Sequence, residues 1–179
     1  AARLMLARQT PIDHAAALRG LSATQDAAYL AAARRILVDM LGDPDLLAQT
    51  SIERAARAYT RNVLFGDDRH TVYAIAWAPG SSTSIHDHHC SCCFGMASGA
   101  LQEDWFEALD GDRARLARTR TRRPGEVACM LPGGPNLHRM ANVSDREAIS
   151  IHIYGFNARA RTTSIHREYA AADQHTLRV

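Results

Sequence analysis

From Tyr59 onward the chain turns into a succession of short apolar and β-branched runs broken by Gly/Pro turns. This punctuation limits the folds open to it more than any other feature. Runs at 72–77, 86–96, 100–109, 114–121, 127–131 and 148–154 are short enough to be strands. The first ends at Pro79-Gly80, and Asp110-Gly111-Asp112 reads as a hairpin turn between two others. Many short strands in close succession specify an antiparallel sandwich or barrel. Residues 1–58 read differently. Thr10-Pro11-Ile12-Asp13 has the make-up of a helix start, with proline at the first helical position and an acid in the first turn. Ser22-Ala23-Thr24-Gln25 has the spacing of a capping box. Beyond it Tyr29, Leu30, Ala33, Ile36, Leu37, Met40 and Leu41 form one helical stripe that Gly42 stops. Asp43-Pro44 opens a further short helix and Ser51 another. The expected fold is mainly β: a jelly-roll-like antiparallel β-barrel with N-terminal α-helices packed against it. All 179 residues are expected to form a single domain, with a helical leader (1–58), a barrel (59–157) and a C-terminal extension (158–179).

Composition removes several classes of function. The chain has no lysine, so all 21 of its basic residues are arginine and the net charge is only +2. Schiff-base and P-loop lysine chemistry are absent, and the charge balance makes no case for nucleic acid. The arginines from Arg113 to Arg123 alternate at period two and read as the wet face of a strand. No apolar run approaches the roughly 20 residues that span a bilayer, and the start lacks a secretory pattern, so a cytoplasmic protein with no membrane partner is expected. Cys90, Cys92 and Cys93 lie too close together to bridge one another, and with Cys129 they read as reduced thiols. They also lack the distant second pair of a zinc ribbon.

The chemistry concentrates in the histidines. His86 and His88 stand two apart, so on a strand both imidazoles face one side. His138 follows fifty residues later. Three neutral imidazoles can hold a transition metal on one face and leave its other positions open, as catalytic sites do. His89 faces the other way and is structural; His14, His70, His166 and His175 read as surface residues. Ser150, His152 and Tyr154 alternate along one strand face, a sensible geometry for a hydrogen-bonded relay. Tyr59 and Trp77 line either the pocket or the core.

Gly80-x5-His86-x-His88-x4-Cys93-x5-Gly99, followed by Pro132-x-Gly134-x3-His138-x3-Asn142, resembles the two motifs of the cupin superfamily. Most cupins carry a glutamate ligand where Cys93 stands, and its replacement by cysteine resembles the cysteine dioxygenase (thiol dioxygenase) family. Tyr59-Thr60-Arg61-Asn62, Leu137-His138-Arg139 and Ser150-Ile151-His152-Ile153-Tyr154 agree with that likeness, which runs from about Tyr59 to Tyr154. The resemblance implies Fe(II) on His86, His88 and His138, with Arg61 pairing with a substrate carboxylate. It implies that Ser150 and His152 hold the phenol of Tyr154 beside the metal. Cys93 would be the partner of Tyr154 in a thioether crosslink.

The implied reaction uses O2 to oxidise a small thiol carboxylate to its sulfinic acid, with L-cysteine the first choice and 3-mercaptopropionate or mercaptosuccinate the alternatives. A metal-dependent cupin that binds a ligand or acts as a sensor is the non-enzymatic alternative. Tyr154-Gly155-Phe156-Asn157 departs from the members nearest the animal enzymes, which have a proline soon after the tyrosine. It resembles bacterial thiol dioxygenases instead. Arg159 and Arg161 are candidates for a second carboxylate contact, and the protein is expected to be a monomer or small homo-oligomer.

Overall fold

A computed structural model describes residues 12–172. Its three short helices are α1 (His14–Arg19), α2 (Ala27–Leu41) and α3 (Pro44–Ala48). Asp13 is itself the cap of α1, its side chain accepting from the Ala16 N–H, rather than an acid inside the first turn; Thr10 and Pro11 lie outside the described residues. The cap of α2 is Asp26, which accepts from the Tyr29 N–H, and not Ser22. The expected capping box fails because Gln25 is used elsewhere, as described below. Gly42 ends α2 and Asp43-Pro44 opens α3, both as the sequence predicts. No helix starts at Ser51, where the backbone leads directly into the first strand.

The ten strands among the described residues are β1 (Tyr59–Gly66), β2 (Thr71–Trp77), β3 (Ile85–His88), β4 (Cys92–Ser98) and β5 (Leu101–Ala108), followed by β6 (Arg113–Arg122), β7 (Val127–Met130), β8 (His138–Ala141), β9 (Ala148–Tyr154) and β10 (Ile165–Ala171). One sheet has the order β1-β2-β9-β4-β7. The other runs β10-β3-β8-β5-β6 and closes through a short parallel contact of β10 with β6. The run expected as one strand over 86–96 is two, because the chain leaves the second sheet after His88 and enters the first at Cys92. The residues after 158 are more than an extension: β10 completes the second sheet and pairs with β3.

Strand alternation sorts the core. On the first sheet Tyr73, Ile75, Trp77, Cys92, Phe94 and Met96 point between the sheets, where Leu101 and Met140 of the second sheet meet them. Val72, Cys93, Val127, Ile151 and Ile153 point the other way, onto the stripe Leu18, Tyr29, Ala33, Leu37 and Met40 of the helices. Covered on both faces, β2 is buried from end to end, which is why its sequence is continuously apolar. Each large apolar side chain buried under the helices contributes about 1.5–3 kcal/mol. Leu41 seats against β4 at Gly95, where any Cβ would stand 2.6 Å from its Cδ1.

Two further expectations are corrected. Cys93 and Cys129 stand directly opposite each other on β4 and β7 and form a disulfide, with Cα atoms 4.0 Å apart. Sequence proximity could not reveal this, since the partner lies 36 residues away. His14 and His70 are buried, not on the surface, and each is bonded to a carboxylate, Asp43 and Asp67 respectively. His166 is exposed as expected, and His175 lies outside the described residues. Among the described residues no helix is long and apolar enough to cross a membrane.

Candidate metal centre

His86 and His138 form a direct cross-strand pair between β3 and β8, and His88 follows His86 by one alternation. The side-chain amide of Asn136 donates to the carbonyl oxygens of His88, Leu131 and Pro132, tying the loop before His138 onto β3. All three rings are buried, with candidate ligand atoms within 4.8 Å of one another.

The outer nitrogens show which atoms face the centre. His86 Nδ1 lies 2.9 Å from the Ser84 carbonyl oxygen, His88 Nδ1 lies 3.1 Å from Ser164 Oγ and His138 Nδ1 lies 3.0 Å from Glu103 Oε1. A carbonyl or carboxylate can only accept, so Nδ1 of His86 and of His138 must carry the proton and each Nε2 presents a lone pair. The Nε2 atoms of His88 and His138 are 3.1 Å apart. Two nitrogens bound to one ion at about 2.0–2.1 Å lie roughly 3 Å from each other. The donor set therefore fits a single transition metal, with the outer nitrogens held as metal-bound histidines usually are.

Electrostatics favour the neutral, ligating form. Burial, reinforced by the neighbouring His138, lowers the pKa of His86 to about 4 and that of His88 to about 2. Burial raises the Glu103 carboxyl, but its contacts with His138 and Arg122 outweigh this and hold it below the usual carboxylate range.

Across the cavity, β9 presents Ser150, His152 and Tyr154 on one face. Ser150 Oγ lies 2.8 Å from His152 Nε2, and the Tyr154 hydroxyl lies 3.2 Å from His152 Nδ1. The Trp77 indole N–H anchors this row by donating to Ser150 Oγ at 2.9 Å. Burial lowers the pKa of His152 to about 3 and raises that of Tyr154 well above the usual phenol value, so both are neutral. The Tyr154 ring lies 5.7 Å from that of His88.

The cavity between the sheets is bordered by His86 and His138 of the cluster and by His152, Tyr154, Cys92, Tyr59, Arg61, Trp77 and Met140, among others. Tyr59 packs on Trp77 with ring centroids 4.9 Å apart. Arg61, exposed on β1, pairs with no carboxylate among the described residues. Arg159 and Arg161 do not border the cavity; Arg159 lies at a separate hollow beside Asp67 and His70. His89 bonds to the Thr163 carbonyl, away from the centre.

Cys93 does not reach Tyr154. Its sulfur is bonded to Cys129 on the helix-facing side of the sheet, while Cys92 stands opposite Tyr154 and, like it, borders the cavity. Sequence reasoning missed Cys92, Ser164 and Glu103. Glu103 did leave a trace: it alternates with Leu101 and Trp105 on β5, so a charge falls on an inward position.

Gln25 ties the segment before α2 to the ends of β4 and β9. Its amide donates to the Gly155 carbonyl at 2.8 Å and its oxygen accepts from the Ser91 N–H at 2.6 Å. A Cβ at position 155 would collide with the Gln25 amide and with Ser91 Oγ.

Comparison with known proteins agrees with this geometry. Residues 6–158 match the sequence profile of the family described as cysteine dioxygenase type I. Cysteine dioxygenase type 1 of Rattus norvegicus and that of Homo sapiens are each 34% identical over 100 residues, covering 54% of this chain and 50% of theirs. The Danio rerio enzyme is 32% identical over 101 residues. The chain thus spans about half the length of the curated relatives it matches. Among solved structures, a protein with a double-stranded beta-helix domain from Klebsiella pneumoniae aligns with a TM-score of 0.47 at 16% identity, over 58% of this chain and 82% of that one. A cupin superfamily protein from Desulfitobacterium hafniense aligns with a TM-score of 0.47 at 15% identity, over 59% and 84%. On the match across most of its length, the chain belongs to the cysteine dioxygenase family.

Proposed function

We propose that this protein is a non-haem iron dioxygenase that converts a small thiol carboxylate, L-cysteine first, to its sulfinic acid. The observation that carries the reading is the facing of two devices across one cavity. Three neutral imidazoles converge on one side, and the Ser150-His152-Tyr154 row ends beside them. Fe(II) on His86, His88 and His138 would supply dioxygen activation and, with three neutral ligands, an undiminished dipositive charge that favours a thiolate. Arg61, which borders the same cavity, would take the substrate carboxylate, because a guanidinium can grip it through paired hydrogen bonds. Trp77 fixes Ser150, Ser150 fixes His152, and His152 fixes the Tyr154 phenol, which can donate one hydrogen bond toward the reacting oxygen. A ligand-binding cupin would not need that row.

Oxygen uptake by the iron-loaded protein, with L-cysteine, 3-mercaptopropionate and mercaptosuccinate in turn, tests the proposal. Uptake matched by sulfinate formation supports it. Uptake with 3-mercaptopropionate but not cysteine reassigns the substrate, and no uptake with any thiol favours a binding module.

A further inference from the structure

Glu103 and Arg122 form a buried ion pair directly behind His138. Glu103 is fully buried on the inward face of β5, and Arg122, on β6, is 6% exposed. Its burial departs from the solvated strand face expected for the arginine run. The two carboxylate oxygens have separate tasks. Oε1 accepts from His138 Nδ1 at 3.0 Å, while Oε2 accepts from Arg122 Nε at 2.7 Å and from a second guanidinium nitrogen at 2.5 Å. The Arg122 guanidinium also lies 5.7 Å from the Phe94 ring centre, and Phe94 stacks on His152 at 5.4 Å. One cation therefore backs both sides of the cavity. Stability alone does not call for such a pair, because apolar residues of the same volume usually serve as well.

We infer that Glu103 and Arg122 act together as a positioning unit for the metal centre. Glu103 locks His138 in the Nδ1–H tautomer, directing its Nε2 lone pair inward. Arg122 cancels the carboxylate charge, so that the centre keeps the net charge of three neutral ligands. This rests on reading the three histidines as metal ligands, but not on turnover, so a failure of the dioxygenase reading leaves it standing.

The test is Co(II) affinity, measured by competition with a chelator, together with the Fe(III)/Fe(II) potential, on variants checked for folding by near-ultraviolet circular dichroism. Glutamine offers one acceptor where glutamate offers two, so Glu103→Gln cannot serve both His138 and Arg122. It should weaken Co(II) binding roughly 10- to 100-fold. Adding Arg122→Met frees the amide to turn its oxygen to His138, and the double variant should recover to within a few-fold of the parent. Arg122→Met alone leaves an uncancelled negative charge and should lower the potential while keeping Co(II) bound.

Parental affinity in Glu103→Gln, or a double variant no tighter than the single, would overturn the inference. Should Glu103→Gln not fold, an unchanged potential in Arg122→Met overturns it as well. In the Zn(II)-loaded native protein the His138 Nδ1 proton should give a downfield resonance protected from exchange. Its absence would equally count against the lock.

Discussion

Cys92 stands opposite Tyr154 in the β4–β9 ladder, whereas Cys93 stands opposite Ile153 and bonds to Cys129 on the far side of the sheet. The pairing assigns the two adjacent cysteines to separate roles, one at the cavity and one under the helices.

If a thioether to Tyr154 forms, it forms at Cys92, which stands opposite Tyr154 and borders the same cavity, while the Cys93 sulfur is held by Cys129. After turnover with iron, thiol and O2, peptide mapping should show Cys92 and Tyr154 joined with the loss of two hydrogens. Cys92→Ser should abolish the linked peptide and Cys93→Ser should retain it. A linked Cys93 would contradict the strand register described above.

Arg61 has no carboxylate partner among the described residues, so its replacement should cost binding and little stability. A charge-assisted bond contributes about 1.5–3 kcal/mol, and Arg61→Ala should raise KM for a thiol carboxylate roughly 10- to 100-fold. A thiol amine lacking the carboxylate should be hardly affected. Equal losses for both thiols would reassign Arg61 to a structural role.

The metal-free protein should lose stability in acid from an unusually high pH. His86, His88 and His152 have folded-state pKa values of about 4, 2 and 3, below an unfolded value near 6.5. The unfolded chain therefore takes up protons first. Stability is fully present above about 6.5 and falls as the pH drops below it, each histidine costing about 2 kcal/mol by pH 5. Urea melts in the presence of a chelator should show this, and a flat profile from pH 7 to 5 would rule it out.

The Cys93–Cys129 bridge fixes the number of reactive thiols. Denatured without reductant, freshly prepared metal-free protein should titrate two thiols, Cys90 and Cys92, and four after reduction. Closing a loop of 36 residues should contribute about 3–4 kcal/mol, so Cys129→Ser should lower stability by a comparable amount. Four thiols without reductant would mean that the bridge does not form.

Much of the site could be read from alternation and spacing. His86 and His88 on one face, Ser150, His152 and Tyr154 on another, and the remote His138 all needed only the period of a strand. The family likeness pointed to Cys93, whereas the β4–β9 register sets Cys92 opposite Tyr154. Other features depended on pairing between distant segments. Cys129 meets Cys93, Arg122 meets Glu103 and Ser164 meets His88 only once the strands are ordered, and no local pattern encodes that order. The buried His14 and His70 were misread for a related reason: His14 meets Asp43 at the cap of α3, and His70, in the β1–β2 turn, stacks on Tyr29 of α2, only once the helices are docked.

The bond from Gln25 to Gly155 alters what the residue after Tyr154 can tell us. The lack of a proline soon after the tyrosine gave the segment its likeness to bacterial thiol dioxygenases. A side chain at 155 would instead push Gln25 off both Ser91 and the backbone it clasps, unfastening the N-terminal segment from the strand that carries the tyrosine. Gly155 thus records how the leader is buttoned to the barrel. On the function proposed above, substrate preference would be set by side chains that border the cavity, Arg61 among them.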